Sequence, residues 1–123
     1  MILKDDFFSI VETHADEGNL RFRVRLNPEH FIFRVHFVGN PVVPGVCLIQ
    51  MATELLESHL NCRLLLDSAT SIKFKRPIHP AIEPEFAFSK VQTEENGLIK
   101  TVFMIQDEEA QYAKMSLLYK KLS

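Results

Sequence analysis

The sequence predicts an α+β domain in which an antiparallel sheet wraps around one hydrophobic helix. Three observations carry this expectation. Leu20-Arg21-Phe22-Arg23-Val24-Arg25-Leu26 alternates apolar and basic residues without a break, the mark of a strand with one buried and one wet face. Pro44 to Leu60 opens apolar almost all round and carries charge only after Thr53, as a buried helix requires. From Ser71 onward, short alternating runs recur between prolines and an Asn-Gly turn.

The elements follow in order. Phe8, Ile10 and Glu12 to His14 read as a first strand, Asp16-Glu17-Gly18-Asn19 as a turn, and Leu20 to Leu26 as the returning strand of a hairpin. Arg21, Arg23 and Arg25 then form a solvated strand face. Asn27 to Pro44 is loop and short turns, punctuated by Pro28, Gly39, Asn40, Pro41 and Pro44. Pro44 suits a helix start, because its missing N–H would have no partner there. The helix that follows is expected to be the central element, with its N-terminus deepest. Ser71 to Lys75 alternates until Pro77 and Pro80 end it, and Glu85 to Val91 resumes with Phe86, Phe88 and Val91 facing in. Glu94-Glu95-Asn96-Gly97 is a hairpin turn, and Leu98 to Gln106 and Gln111 to Tyr119 supply two more strands.

Composition narrows the function classes. At 123 residues, with 46% hydrophobic and 24% charged, the chain has the size and balance of one folded domain, residues 1–123. Fourteen Lys+Arg against sixteen Asp+Glu give a net charge of −2, which argues against a nucleic-acid module. No apolar run approaches the ~20 residues of a membrane span. The start, Met1-Ile2-Leu3-Lys4-Asp5-Asp6, has no signal-peptide pattern. Cys47 and Cys62 fit neither a disulfide framework nor a metal spacing, so a reduced, cytoplasmic protein is expected, and the sequence carries no cofactor motif. His14, His59 and His79 are scattered, His30 reads as a surface residue, and Cys47 reads as inert packing.

The densest chemical signal is His36-Phe37-Val38-Gly39-Asn40-Pro41-Val42-Val43-Pro44-Gly45-Val46. It sets an imidazole before a stiff loop that feeds directly into the helix. The first N–H groups of a helix have no intrahelical partners and carry the positive end of its dipole. A base beside such donors is what proton abstraction next to a carbonyl requires, although a loop histidine that only fills space would read the same.

This segment resembles the signature of the 3-hydroxyacyl-ACP dehydratases, His-Phe-Pro-Gly-x-Pro-x-Met-Pro-Gly-Val, with Val38 and Val43 as the departures. Asn27-Pro28-Glu29-His30-Phe31-Ile32-Phe33 resembles the family's approach to the motif. Ile72 to Pro80 resembles its proline-bounded strand end, with Ala81 in place of glycine. The resemblance implies a hot-dog fold and dehydration of a 3-hydroxyacyl thioester on acyl carrier protein (ACP) to the trans-2-enoyl thioester. It implies that His36 takes the C2 proton while the Gly45 N–H stabilises the enolate-like oxygen. It also implies a dimer or higher oligomer whose sites join two chains.

The main departure is at Gln50, where the family carries Glu or Asp fourteen positions after the histidine. An amide orients a hydroxyl but delivers no proton. Glu54, one helical turn on, falls where the family often has Gln, so Gln50 and Glu54 read as an inverted pair. Glu54 is therefore either a displaced acid or the first exposed charge of a helix turning outward. A third possibility is pairing with a paralogue that supplies the carboxylate while this chain donates His36.

Because ACP is acidic, a docking surface should be basic. Lys73, Lys75 and Arg76 form the best cluster, and Arg34 is a second candidate. Phe31, Phe33, Val42, Val43 and Ile78, with Phe37 and Pro44 of the motif, are the candidate acyl-binding residues. The leading expectation is a dehydratase of fatty-acid or related acyl-chain building. The alternatives are an acyl thioesterase, since the same fold hosts hydrolysis, and a catalytically impaired acyl-ACP-binding partner subunit.

Overall fold

The computed structural model describes residues 2–35 and 39–122. Its elements are β1 (Phe8–Asp16), β2 (Asn19–Leu26), α1 (Ile32–Val35), α2 (Gly45–Leu60), β3 (Leu64–Phe74), β4 (Glu85–Thr93), β5 (Ile99–Gln106) and β6 (Gln111–Lys121). The strands form one sheet in the order β1-β2-β4-β5-β6-β3, every neighbouring pair antiparallel. The alternation read in the sequence is the reason. Along β2 the residues Leu20, Phe22, Val24 and Leu26 are buried, and along β5 Ile99, Thr101, Phe103 and Ile105 are. These inward side chains, with Phe86 and Phe88 of β4 and Met115, Leu117 and Tyr119 of β6, close over Met51, Ala52, Leu55 and Leu56 of α2. A β-bulge after Phe88 shifts the register, which leaves Val91 only half-buried.

Helix α2 begins at Gly45 after an extended Pro44 and ends at Asn61, which adopts the left-handed conformation (φ 53°) and donates its N–H to Glu57 O. Its deepest part is the middle, Met51 to Leu56, and not the N-terminus as the apolar run suggested. Val46, in the first turn, is 68% exposed. Sheet strands flank the middle of the helix, whereas its start projects toward the open edge at β3, where the Phe74 ring lies against Gly45.

Two features have no counterpart in the sequence reading. Strand β3 starts at Leu64, seven residues before the alternation at Ser71. Residues 2–7 fold into a hook that buries Leu3 and Phe7, closed by the Phe7 N–H to Leu3 O bond of 2.7 Å. Asp5 sits in the hook at φ +67°, a left-handed conformation that Asp tolerates better than most residues.

Candidate functional site

The site is assembled where the loop after α1 meets the start of α2. The approach segment is held from below by the N-terminal hook. Asn27 Nδ2 donates to Asp6 O at 2.9 Å, and Asn27 Oδ1 accepts the Glu29 N–H at 3.0 Å. His30 is buried, contrary to the surface position expected for it. Its Nδ1 accepts the Ile32 N–H (3.1 Å) and its Nε2 faces Asp6 Oδ2 (3.1 Å), while Phe31 stacks on the ring and Phe7 meets it edge-on. Those bonds make His30 the brace of α1. The expected base His36, and Phe37 and Val38 beside it, lie outside the described residues.

Beyond them, Gly39 turns the chain at φ +87°, and the Val43 N–H to Ile78 O bond (2.9 Å) ties the loop to the segment after β3. The Cys47 and Leu48 N–H groups reach back to Pro44 O, at 3.0 and 3.3 Å. The N–H groups of Gly45 and Val46 have no acceptor among the described residues, as the first donors of a helix must. A Cβ at Gly45 would stand 2.7 Å from Phe74 Cζ, so a side chain there would have to push that ring aside.

A groove of about 400 Å³ opens at this helix start, lined by Val42, Val43, Pro44, Gly45, Leu48, Phe74, Lys75, Arg76, Pro77 and Ile78. It is mainly apolar with two cations on its rim, so it suits an acyl chain attached to an anionic carrier. Of the candidate acyl-binding residues, Val42, Val43, Pro44 and Ile78 line it. Phe33 is buried against Phe7 (ring centroids 5.1 Å apart), and Phe31 is exposed beside His30. A larger depression of about 790 Å³ shares no lining residue with this groove. Arg23 and Glu83, paired with each other at 2.6 Å, are among the residues that line it.

Among the proposed docking cations, Lys75 and Arg76 stand on the groove rim, and Lys75 Nζ donates to Gln111 Oε1 at 3.0 Å. Lys73 points to the opposite face of the sheet from Phe74, where it lies directly across from Lys114 in the β3–β6 register. Two unpaired like charges face each other there, and neither forms an ion pair among the described residues. Lys114 has no sequence signal of its own, because it stands 41 positions from Lys73 and only strand pairing joins the two. Arg34 is exposed and lies 3.8 Å from Glu29, which offsets part of its charge.

The pair on α2 departs most from expectation. Glu54 is not an outward charge: it is 7% exposed. Its Oε1 accepts the N–H groups of Leu3 (3.0 Å) and Lys4 (2.7 Å), and its Oε2 accepts those of Leu3 (2.9 Å) and Gln50 Nε2 (2.8 Å). Every partner is a donor, so a proton on this carboxyl would point at another N–H and not at an acceptor. Cys47 is buried, and burial pushes its thiol pKa up, which suits a packing role. No group of three or more His, Cys, Asp and Glu able to hold a metal occurs among the described residues.

Comparison with solved structures places the fold. The dehydratase heterocomplex ApeI:P from Xenorhabdus doucetiae superposes with a TM-score of 0.70 at 17% identity, over 90% of this chain and 96% of that one. A 1,4-dihydroxy-2-naphthoyl-CoA thioesterase from Synechocystis gives 0.63 at 17% identity, over 86% and 83%. The E. coli PaaI protein from the phenylacetic acid degradation operon gives 0.65 at 13% identity, over 94% and 80%. At such identities the likeness establishes a hot-dog fold, shared by dehydratases and thioesterases alike. The ApeI-like family, described as ApeI dehydratase, matches residues 12–116. With its sequence matched over that span and its six strands arranged about α2, the chain belongs to the ApeI-like dehydratase family.

Proposed function

We propose that the protein eliminates water from a 3-hydroxyacyl thioester carried on ACP to give the trans-2-enoyl thioester. The observation that carries this reading is the apolar, cation-rimmed groove at Gly45, whose walls come from the loop that follows His36. In the proposed reaction the C2 proton passes to His36, and negative charge gathers on the thioester oxygen at the Gly45 N–H. The double bond then forms as the C3–O bond breaks. The departing hydroxide must take up a proton to leave as water. Gln50 can orient that hydroxyl but cannot protonate it.

A second reading follows from the same residues: the acid comes from another chain. Gln50 occupies the family's acid position, and the nearest carboxylate on α2, Glu54, is surrounded by donors. Strand β3 supports such pairing, since it ends the sheet with Leu65, Leu66, Ile72 and Phe74 exposed along it, Phe74 at the groove. The related ApeI:P assembly is itself a heterocomplex. The purified chain, alone and mixed with an acid-bearing paralogue, should be given a 3-hydroxyacyl-ACP and followed by enoyl-thioester absorbance. Turnover is expected in the mixture at least, and His36→Ala should reduce it by about 10²–10⁴-fold. Release of free thiol with no enoyl product would instead identify a thioesterase, and activity unchanged in His36→Ala would remove His36 from the mechanism.

A further inference from the structure

We propose that Glu54 is a positioning residue: it locks Gln50 to the N-terminal hook, and the seating of that hook sets how Gln50 presents itself to the reacting hydroxyl. The proposal rests on the dehydratase reading for its kinetic consequence, but not for its structural one. Gln50 carries two kinds of polar atom that differ by rotation of the amide. A carboxylate accepts and never donates, so Glu54 Oε2 at 2.8 Å selects the –NH₂ end of Gln50 and turns the carbonyl oxygen away. The carboxylate is fixed in turn by backbone N–H groups of Leu3 and Lys4, which cannot rotate out of the way. The hook holding those donors is anchored by Leu3 and Phe7 in the core.

The other end of the hook reaches the opposite wall of the site. Asp6 faces His30, Phe7 stacks on Phe33, and Asn27 donates its side-chain N–H to Asp6 O and its backbone N–H to Phe7 O at 2.8 Å. One short segment thus braces both α2 beside Gln50 and α1, which ends at Val35, just before His36 in the chain. Misplacement of a catalytic group by about 1 Å costs on the order of 10²-fold in rate, so a loose hook should be felt in turnover.

The test has two arms on the full chain. In the first, amide hydrogen exchange is measured by NMR. The Leu3 and Lys4 amides should be protected in the wild type and lose that protection at least tenfold in Glu54→Gln, with the Gln50 side-chain amide resonances shifting as well. In the second arm, Leu3→Ala, which leaves the carboxylate in place and loosens the hook, should lower kcat by about 10–100-fold with KM for the acyl-ACP nearly unchanged. Its pH profile should keep the wild-type limbs. If Glu54→Gln does not fold, Glu54→Asp takes its place, and Leu3→Ala still decides the kinetic arm. Leu3 and Lys4 amides that exchange as fast as free peptide overturn the clamp, whatever the reaction proves to be. Wild-type kcat in Leu3→Ala, with a Glu54 variant that loses one limb of the pH profile, overturns the positioning role and makes Glu54 the acid.

Discussion

The two edges of the sheet are built in opposite ways. At the β1 edge the outer residues from Glu12 to Asp16 are polar or small and exposed, and a β-bulge interrupts the ladder between Ile10 and Glu12. Behind it runs a chain of ion pairs: Arg23 to Glu12 at 3.0 Å, Arg23 to Glu83 at 2.6 Å, and Arg25 to Glu83 at 2.8 Å. Charge of this kind keeps an edge from pairing with another chain; irregularity does not separate the two edges, since β3 carries two register shifts of its own. At the β3 edge an eleven-residue strand carries Leu65, Leu66, Ile72 and Phe74 in the open, and Phe74 remains 57% exposed over the start of α2. Among the described residues, only Asp67, 3.7 Å from Lys120, blunts it with an ion pair. One edge is finished within the chain, and the other is apolar, long and next to the groove. Under the pairing proposed above, β3 is the edge that a second chain would take.

The comparison is broken most severely by charging the open edge. Phe74→Asp is expected to lower the assembled mass in light scattering and cut turnover by about 10²-fold or more, the scale of a missing acid–base group. Thr13→Asp on the β1 edge should change neither. If the β1 variant dissociates the assembly instead, the two edges have been assigned the wrong way round.

A smaller effect tests the cations of the β3–β6 corner. Lys73→Glu should weaken binding to ACP roughly tenfold, about 1.4 kcal/mol, with the loss shrinking as salt is added. The same substitution turns the Lys73–Lys114 repulsion into attraction and should raise Tm slightly. Weaker carrier binding together with higher stability is the signature of a surface kept for its partner. Lower Tm with unchanged binding would show that the pair serves the fold alone.

The smallest effect belongs to the finished edge. Its hydrogen bond with Arg25, and the nearby Arg23 charge, hold the Glu83 carboxyl below its ordinary pKa. A depressed folded value means stability that is present above the ordinary carboxylate pKa and lost as pH falls through the lowered one. Glu83→Gln should therefore lower Tm by a small amount at neutral pH, and the wild-type and variant curves should converge in acid. The pair is exposed, so the difference is expected to stay within the usual range of surface ion pairs. A gap that persists at low pH would trace the loss to packing.

Legibility differed between these regions for a physical reason. Strands β2, β4, β5 and β6 could be read because each buries one face, and a buried face imprints alternation. The first half of β3, Leu64 to Thr70, buries almost nothing in the single chain and carries two register shifts, so Leu64-Leu65-Leu66-Asp67-Ser68 shows no period. The site divides similarly. Gly45 and its groove partners Val42, Val43 and Pro44 are contiguous, and their spacing was informative. The burial of Glu54 and His30 was not legible because it depends on the hook, and nothing in Ile2-Leu3-Lys4-Asp5-Asp6-Phe7 announces that its amides will cap a carboxylate about fifty residues away.

By itself the sequence determined the class of fold and the helix that begins after Pro44, because those depend on local periodicity and on proline's fixed geometry. The tertiary structure alone decided which charges face which. It brought Lys114 opposite Lys73, buried Glu54 as the acceptor of three N–H donors, and left β3 as the edge with exposed apolar side chains. Long-range strand pairing and chain closure make those neighbours, and such contacts leave no periodic trace in the residues they join.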